Sequence, residues 1–347
     1  MRRRQLLKIL AGGAALAITP SFLLRDRQQA LAAKLALDSD DVYWLVSVPW
    51  IKMIAAAEGT AHLGKEAYQT AYRYRKFSGY ADHPRIDIPI PGDPRNRTSD
   101  AAGPYQIIST TWDLTHSDYP DIWLKDEPSF SPANQDRCAL AISDRTGGSA
   151  ALLAGVKVLN GHLSVSYAAF QQAIYRDSSE WASLPGHDIG ADSGQHTRQV
   201  WWLWSEFQWQ LWGQCGYRRR IVAPLEAMTM TSPFGPRWGD LHGGIDFAAA
   251  VGTPVRSPEN AKVIRVDRDD RAGLYVVLSP EGFPDLNLSF CHLSRTDMKE
   301  GDSLKAGETF ALSGATGRIT GPHLHIGAWI DGGIIDPGRY LKMAEWF

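Results

Sequence analysis

Residues 321–327, Gly-Pro-His-Leu-His-Ile-Gly, place two histidines two positions apart. Side chains on an extended strand alternate between its two faces, so His323 and His325 are predicted to point the same way. Upstream, a Gly-Gly-Ile segment separates another imidazole, His242, from the carboxylate of Asp246. A catalytic zinc site needs three protein ligands of this kind and one position open for water. The sequence therefore contains the ligands of a zinc site, with a histidine to spare.

Length and composition describe an ordinary globular protein. The chain has 347 residues, 44% of them hydrophobic and 21% charged, which fits two domains better than one core. Its formal net charge of -2 argues against a polycation built to bind nucleic acid. The three cysteines, Cys138, Cys215 and Cys291, are odd in number and widely spaced, so a disulfide scaffold is not expected.

The first 32 residues are predicted to be an export signal. Residues 3–8, Arg-Arg-Gln-Leu-Leu-Lys, resemble the twin-arginine export motif. The apolar run over residues 9–24 is short for a membrane span, which needs about 20 apolar residues. Residues 30–32, Ala-Leu-Ala, form a cleavage site of the A-x-A type. Export to the periplasm or cell envelope is favoured, and an uncleaved membrane anchor is the alternative.

Residues 45–212 are predicted to form a mostly helical domain. After a lead-in over residues 33–47, a helix is expected to start with Pro49 in its first turn and to stop at Gly59. Ser131 and Pro132 are predicted to be the N-cap and first position of another helix. A tryptophan-rich stretch near the end of this region has a helical period, which indicates a helix packed on the core.

Residues 213–223, which contain glycines and a basic run, are the predicted linker to a second domain, residues 224–347. There, short apolar runs alternate with turn residues every eight to twelve positions, which is typical of an all-β fold. The predicted strands are 261–266, 274–278, 286–292, 309–312 and 323–330.

Glu58 lies at the end of the first predicted helix. The negative end of a helix dipole disfavours an ionised carboxylate, and a raised pKa is what a general acid needs. A lone glutamate at such a position is more often a solvated surface residue. Whether Glu58 is catalytic therefore has to be judged from the surrounding sequence.

That surrounding sequence resembles lambda-type phage endolysins, which are lysozyme-like enzymes that cut the glycan strands of peptidoglycan. The resemblance covers about residues 45–215. It implies a mostly helical lysozyme-like fold with Glu58 as the acid/base of a lytic transglycosylase or muramidase. The segments that carry it, in family order, are 58–60 (Glu-Gly-Thr), 82–85 (Asp-His-Pro-Arg), 101–106 (Ala-Ala-Gly-Pro-Tyr-Gln), 130–136 (Phe-Ser-Pro-Ala-Asn-Gln-Asp) and 181–186 (Trp-Ala-Ser-Leu-Pro-Gly).

A lytic transglycosylase needs one carboxyl group, because a hydroxyl of the substrate closes an anhydro ring. A hydrolase would need a second carboxylate. Asp82, Asp100 and Asp113 are available, and spacing alone places none of them near Glu58.

Tyr105 and Gln106 are candidate sugar-binding residues. A core position is the open alternative for Tyr105. Pro104 stands where the family usually has arginine, which leaves details of substrate binding open.

The second half, from about residue 232 to 330, is similar to the lysostaphin-type zinc endopeptidases of bacterial cell walls. The resemblance implies an antiparallel all-β domain in which His242, Asp246 and His325 are the zinc ligands. It further implies that His292 and His323 handle the water proton and the oxyanion. The matching segments include 232–237 (Ser-Pro-Phe-Gly-Pro-Arg), 242–247 (His-Gly-Gly-Ile-Asp-Phe), 290–293 (Phe-Cys-His-Leu), 313–317 (Ser-Gly-Ala-Thr-Gly) and 321–325 (Gly-Pro-His-Leu-His).

Residues 290–292 depart from the Tyr-Ala-His found in many relatives. Strand alternation predicts that Leu286, Leu288, Phe290 and His292 share one face. Cys291 would then face away from His292, so we do not expect it to be a fourth zinc ligand.

These observations predict an α+β chain: a lysozyme-like helical domain with Glu58, followed by an all-β zinc peptidase domain. The expected function is that of an exported, bifunctional peptidoglycan hydrolase. Two alternatives stay open: an active zinc endopeptidase whose lysozyme-like domain only binds glycan, and a non-enzymatic activator of other cell-wall hydrolases. We expect peptidoglycan as the partner, a monomer, and membrane contact only through an uncleaved export signal.

Overall fold

The computed structural model describes residues 39–159, 162–186, 199–215, 221–237, 239–283 and 285–341. The chain divides into two compact units. The first unit runs to Lys157 and resumes from Ala168 to Gly216, and the second contains Val158–Tyr167 and the chain from Tyr217 onward. The predicted export signal lies outside the described residues. Among the residues that are described, no helix combines the length and apolar character needed to cross a membrane.

The first unit is built mainly from helices, with 3-10 turns at Ala61–Gln69 and Tyr72–Tyr74. The described helices of this half of the chain are α1 (Ser39–Ala57), α2 (Ser109–Asp118), α3 (Pro132–Thr146), α4 (Gly148–Ala154), α5 (Tyr167–Asp177) and α6 (Val200–Gln214). Short antiparallel pairs join β1 (Thr70–Ala71) to β2 (Arg75–Lys76) and β3 (Ile88–Pro89) to β4 (Thr98–Ser99). A further strand, β5 (Val156–Leu159), pairs with β6 (His162–Val165), and the boundary of the first unit after Lys157 falls within β5.

Helix α1 begins ten residues before Pro49, so the predicted start at this proline is wrong, and so is the predicted lead-in over residues 39–47. The earlier part of that lead-in, residues 33–38, lies outside the described residues. Tyr43, Val46 and Trp50 are fully buried and recur at helical spacing, so they form an apolar stripe against the core. Pro49 costs the helix one backbone hydrogen bond. The packing of this stripe offsets that cost, and local sequence signals did not reveal it.

Helix α3 begins where the sequence predicts. The Ser131 side chain accepts a hydrogen bond from the Asn134 backbone N–H at 3.3 Å, and Pro132 takes the first helical position. The helix ends at Gly147, whose φ of 93° is the left-handed conformation that favours glycine at a helix C-terminus.

The tryptophan-rich helix α6 packs on the core of the first unit, as predicted. Trp204 and Phe207 are fully buried. Phe207 contacts Trp50 edge-on with ring centroids 6.0 Å apart, and Trp204 lies 4.8 Å from Phe170. Contacts of this kind add to the free energy gained from burying the rings.

A buried carboxylate, Asp177, ties three helices together. It accepts hydrogen bonds from Trp50 Nε1 and Ser143 Oγ, each at 2.7 Å, and from Thr146 Oγ1. Burial raises the pKa of Asp177 to about 6, although these hydrogen bonds oppose the shift. Gly148 makes room for the carboxylate, because a Cβ at that position would lie 2.1 Å from Asp177 Oδ1.

The second unit is an antiparallel β structure with a short helix, α7 (Gly338–Leu341), near its end. The described strands of this unit after residue 221 are β7 (Met230–Ser232), β8 (Gly235–Arg237), β9 (Asp240–His242), β10 (Gly244–Ala248), β11 (Pro254–Arg256), β12 (Ala261–Asp269), β13 (Gly273–Pro280), β14 (Leu286–Leu293), β15 (Arg295–Thr296), β16 (Ser303–Leu304), β17 (Thr309–Leu312), β18 (His323–Ile330) and β19 (Gly333–Ile335). The main sheet has the order β16-β12-β13-β14-β18-β10-β7, with β19 paired to β18. The predicted strands are all present, several of them longer than expected, which confirms the α+β class.

One face of the main sheet forms the apolar core of this unit. Phe247 lies opposite Leu324 in the β10–β18 pair, and Phe290 lies opposite Ile326 in the β14–β18 pair. All of these side chains are fully buried. Because side chains alternate along a strand, the residues between them project from the other face.

The hydrogen bonds of Asp177 lead to a test of the core. Replacing Asp177 with alanine leaves the Trp50, Ser143 and Thr146 donors without their buried acceptor. We expect the free energy of unfolding of the first unit to fall by about 3 kcal/mol, since each unsatisfied buried donor costs about 1–3 kcal/mol. Denaturant unfolding measures the change, and Asp126→Ala, at an exposed position of the same unit, is the control. An equal loss in both variants would contradict this account.

Candidate functional site

Strand register brings two of the predicted ligands together. Asp246 on β10 lies directly opposite His325 on β18. Cross-strand partners share a face, so both project from the side of the sheet opposite the apolar core. His323, two residues before His325, lies opposite Ala248 and shares that face.

Three ligand atoms converge at this point. His242 Nε2 lies 3.1 Å from Asp246 Oδ1 and 3.2 Å from His325 Nδ1, and His325 Nδ1 lies 2.8 Å from Asp246 Oδ1. Tetrahedral zinc with bonds of about 2.0–2.1 Å places its ligand atoms about 3.3 Å apart. Two imidazole nitrogens and a carboxylate oxygen at this spacing fit a zinc ion.

Neighbouring groups orient two of these ligands. His242 Nδ1 donates to the Pro233 carbonyl at 2.7 Å, which leaves the Nε2 lone pair facing the cluster. Arg237 Nη1 lies 3.4 Å from Asp246 Oδ2, so Oδ1 is the oxygen turned toward the histidines. Burial opposes ionisation of Asp246, but hydrogen bonds with His242 and His325 outweigh it and hold its pKa below the ordinary value.

Gly244 is required by the close packing of His325. A Cβ at residue 244 would lie 2.5 Å from His325 Nε2 and 2.4 Å from the Ile326 carbonyl oxygen. A side chain there would displace the imidazole. This explains the second glycine of the Gly-Gly segment between His242 and Asp246.

His292 and His323 lie beside the three-ligand cluster, with ring centroids 4.7 Å apart. His292 Nδ1 donates to the Thr316 carbonyl at 3.0 Å, and His323 Nδ1 donates to the Gly321 carbonyl at 2.8 Å. In both rings Nε2 is the nitrogen not bound to a carbonyl, and Nε2 of His323 lies 3.6 Å from Asp246 Oδ1. Burial lowers the pKa of His292 to about 4, so this imidazole is neutral and able to accept a proton at neutral pH.

His292 lies on the face of the sheet that carries the cluster because β14 is irregular at this residue. Its φ of 63° is left-handed, and the β13–β14 register shifts between Leu274 and Val276. The prediction that His292 shares a strand face with Phe290 is therefore wrong, because it assumed a regular strand. Cys291 lies opposite His325 and so shares the face of the cluster. Among the described residues, the ligand atoms that converge here within 4.8 Å of one another belong to His242, Asp246 and His325, and Cys291 is not part of this group.

Glu58 directly follows helix α1, and its backbone N–H donates to Ile54 O at 2.9 Å. Ser183 Oγ donates to Glu58 Oε1 at 2.6 Å. Ser183 is buried and belongs to the Trp-Ala-Ser-Leu-Pro-Gly segment, for which the sequence suggested no individual role. The side chain of Glu58 is half-buried, so its environment is neither core nor open solvent.

Hydrogen bonds join three of the segments from the sequence analysis, residues 58–60, 101–106 and 181–186. Trp181 Nε1 donates to the Tyr105 carbonyl at 3.0 Å. The buried Thr60 hydroxyl donates to the carbonyls of Ala55 and Pro104. Pro104 thus contributes its backbone oxygen to this arrangement.

Tyr105 lies in the core, the alternative that the sequence left open. It is 3% exposed, and its hydroxyl donates to Asp136 Oδ1 at 2.7 Å. Its ring has no free face for a sugar, so the prediction of direct substrate contact is wrong for Tyr105. Gln106 is partly exposed and its Nε2 donates to the Gly103 carbonyl at 2.8 Å. A substrate contact for Gln106 stays a prediction.

The candidate second carboxylates each have another partner. Arg85 lies 2.6 Å from Asp113 Oδ1 and 3.3 Å from Asp82 Oδ2. Asp100 Oδ1 accepts from the Ser109 backbone N–H at the start of helix α2. These contacts give all three a structural role.

Sequence reasoning missed the residues that orient the others. Arg237 and Ser183 both fall inside segments quoted for their family resemblance, and that membership was the available signal. Their contacts with Asp246 and Glu58 depend on the fold.

Comparison with known proteins finds two different families in two separate segments of the chain. The family model described as Endolysin matches residues 48–211, and that of peptidase family M23 matches residues 240–337. Peptidoglycan DD-endopeptidase ShyB of Vibrio cholerae is 43% identical over 84 residues, which are 24% of this chain and 19% of ShyB. DD-carboxypeptidase/endopeptidase Mpg of Neisseria meningitidis is 36% identical over 123 residues, which are 33% of this chain and 28% of Mpg.

Among solved structures, a zinc-containing peptidase from Vibrio cholerae is 34% identical, with a TM-score of 0.31, and the match covers 34% of this chain and 39% of that one. The chain spans less than a third of the length of the two curated relatives named above. The two family models match separate segments of the chain. Residues 48–211 are therefore similar to the endolysin family, and residues 240–337 are similar to peptidase family M23.

Proposed function

We propose that this protein is a bifunctional peptidoglycan hydrolase in which one unit cuts peptide bonds and the other cuts glycan strands. The observation that carries the peptidase half is the convergence of His242 Nε2, Asp246 Oδ1 and His325 Nδ1 within hydrogen-bonding distance of one another. ShyB is described as a peptidoglycan DD-endopeptidase and Mpg as a DD-carboxypeptidase/endopeptidase, which supports the peptide stems or cross-bridges of the cell wall as the substrate.

In the peptidase site, His242, Asp246 and His325 would hold the metal. Zinc bound by these ligands would supply a Lewis acid that polarises the scissile carbonyl and activates a water molecule. His292 and His323 present Nε2 toward the same space, because Nδ1 of each is bound to a carbonyl. One of these nitrogens takes the proton of the attacking water and returns it to the leaving amine, and the other stabilises the oxyanion.

In the glycan site, Glu58 is the proton donor to the leaving oxygen. The hydrogen bond from Ser183 Oγ to Glu58 Oε1, at 2.6 Å, holds the carboxyl group in one orientation. Asp82, Asp100 and Asp113 are engaged by Arg85 or by a backbone N–H. This favours a one-carboxyl reaction, the lytic transglycosylase, over hydrolysis with a second carboxylate.

Both reactions act on one polymer, so covalent linkage of the two units raises the concentration of each site near its substrate. The predicted signal over residues 1–32 supports export to the periplasm or cell envelope as part of this proposal. A non-enzymatic activator of other hydrolases would have no need of a complete ligand set, which argues against that alternative.

Product analysis of two variants tests the bifunctional proposal. We expect Glu58→Gln to abolish new anhydro-sugar or reducing glycan ends while leaving peptide cleavage intact. We expect His325→Ala to abolish new free peptide termini while leaving glycan cleavage intact. Mass spectrometry of fragments released from purified peptidoglycan, with zinc present, measures both. Loss of both product classes in either variant, with the fold intact by circular dichroism, would contradict two independent sites.

Two adjacent glycines give a matched test of the metal cluster. A Gly244→Ala side chain overlaps the His325 imidazole, whereas a Gly243→Ala side chain meets only Ile334 Cδ1 at 4.0 Å. We expect Gly244→Ala to weaken zinc affinity by about 100-fold, because displaced ligands lose metal affinity on this scale, and Gly243→Ala to change it little. Competition titration with a zinc chelator measures both, and equal affinities would count against the cluster as the zinc site.

Ser183 provides a test of the glycan site. Ser183→Ala removes the hydrogen bond that the Ser183 hydroxyl donates to Glu58 Oε1. The carboxyl group is then held less firmly, so kcat for glycan cleavage should fall by about tenfold with little change in KM. The exposed Ser179→Ala is the control. Peptide cleavage should be unaffected in both variants. An unchanged kcat in Ser183→Ala would remove its role as a positioning residue.

A further inference from the structure

Tyr74 is an exposed aromatic residue beside Glu58. Its side chain is 55% exposed, and its hydroxyl donates to the Gly59 carbonyl at 3.3 Å. Gly59 is the residue directly after Glu58. The Tyr74 ring also contacts the imidazole of His62 edge-on, with ring centroids 5.7 Å apart. These two contacts hold an aromatic surface at the edge of the proposed glycan site.

The backbone at this position is strained. Arg73 has a φ of 55° and Tyr74 a φ of 59°, so two successive non-glycine residues adopt the left-handed conformation. This conformation is unfavourable in free energy for residues with a Cβ, whereas glycine adopts it freely. Strain of this kind persists where the side chain has a use that offsets its cost. The backbone would accommodate glycine at residue 74, yet the chain carries a tyrosine.

Packing does not account for the tyrosine. More than half of its surface is exposed, and its hydroxyl bond is at the long end of the range. By contrast, Tyr105 in the same unit is almost fully buried, with its hydroxyl 2.7 Å from a carboxylate. The ring of Tyr74 therefore contributes little to the core and leaves much of its surface open to solvent.

The chemistry of this surface suits a sugar. The C–H groups of a pyranose form an apolar face that packs on an aromatic ring. Arg73 and Arg75, on either side of Tyr74, are exposed, and neither is ion-paired to another described residue. Guanidinium groups bind carboxylates, and the peptide stems of peptidoglycan carry carboxylates next to the sugars.

We propose that Tyr74 is a glycan-binding residue that stacks on one amino-sugar ring of the strand next to the bond that Glu58 protonates. This inference rests on the glycan-cleaving function proposed above. The Tyr74 ring would then bind the sugars of the glycan strand directly, in addition to any contact with the peptide stems.

The test compares Tyr74→Gly with Tyr74→Phe in the full chain. Glycine removes the ring and relieves the strained φ, so the protein should fold with an unchanged or raised Tm. Phenylalanine keeps the ring and removes only the hydroxyl bond to Gly59. The matched control is Tyr175→Ala, which removes another exposed tyrosine, 61% exposed, from the same unit.

Two measurements are made on each variant. The first is KM and kcat for glycan cleavage, and the second is binding of peptide-free glycan strands by the same variants carrying Glu58→Gln. We expect Tyr74→Gly to raise KM and weaken strand binding by roughly tenfold, the effect of losing one aromatic contact. Tyr74→Phe and Tyr175→Ala should stay close to the parent protein, and peptide cleavage should be unchanged in all.

Wild-type strand binding by Tyr74→Gly would overturn the proposal. A loss in Tyr74→Phe as large as in Tyr74→Gly would also overturn it, because the hydroxyl that anchors Gly59 would then be the important group. If the wild type releases no glycan fragments, the proposed cleavage fails. The strand-binding comparison still decides the role of Tyr74 in that case, so the two failures are distinguishable.

Discussion

The antiparallel pairing of Asp246 with His325 is the constraint on which the peptidase site depends. Buried neighbours on the same strands, Phe247 opposite Leu324, fix this register from the other face of the sheet. A slip of one residue would turn the ligands into the apolar core and the core residues into solvent. The free energy of core burial thus holds the metal-binding face in place. His242, the third ligand, lies at the end of β9, the strand that precedes β10.

In the helical unit, a buried hydrogen-bond network has the corresponding role. Asp177 binds Trp50 of helix α1, and the same helix ends directly before Glu58. Ser183 then fixes the Glu58 carboxyl from a segment far along the chain. Each proposed site therefore consists of side chains at the end or edge of a rigid element, which a packed core holds in place. This arrangement provides the preorganisation that catalysis requires.

The features that could be predicted from the sequence are those that local residue patterns determine. Alternation predicted the long strands and the shared face of His323 and His325, and the Ser131-Pro132 pair predicted the start of a helix, because a cap is a local hydrogen bond. The start of helix α1 was missed because tertiary packing of its apolar stripe outweighs the proline signal. The side of the sheet on which Cys291 and His292 lie was missed because one left-handed residue interrupts the alternation. Contacts such as Ser183 with Glu58 join residues distant in sequence, so no local pattern encodes them.

The most direct test of the central claim is X-ray absorption spectroscopy of the zinc-loaded protein, read together with its metal content. The account predicts one zinc per chain with two imidazole nitrogens and a carboxylate oxygen at about 2.0–2.1 Å. It also predicts no sulfur ligand, although Cys291 lies on the same face of the sheet. A sulfur neighbour at about 2.3 Å, or a protein that retains no zinc, would contradict the assignment of His242, Asp246 and His325 as the metal ligands.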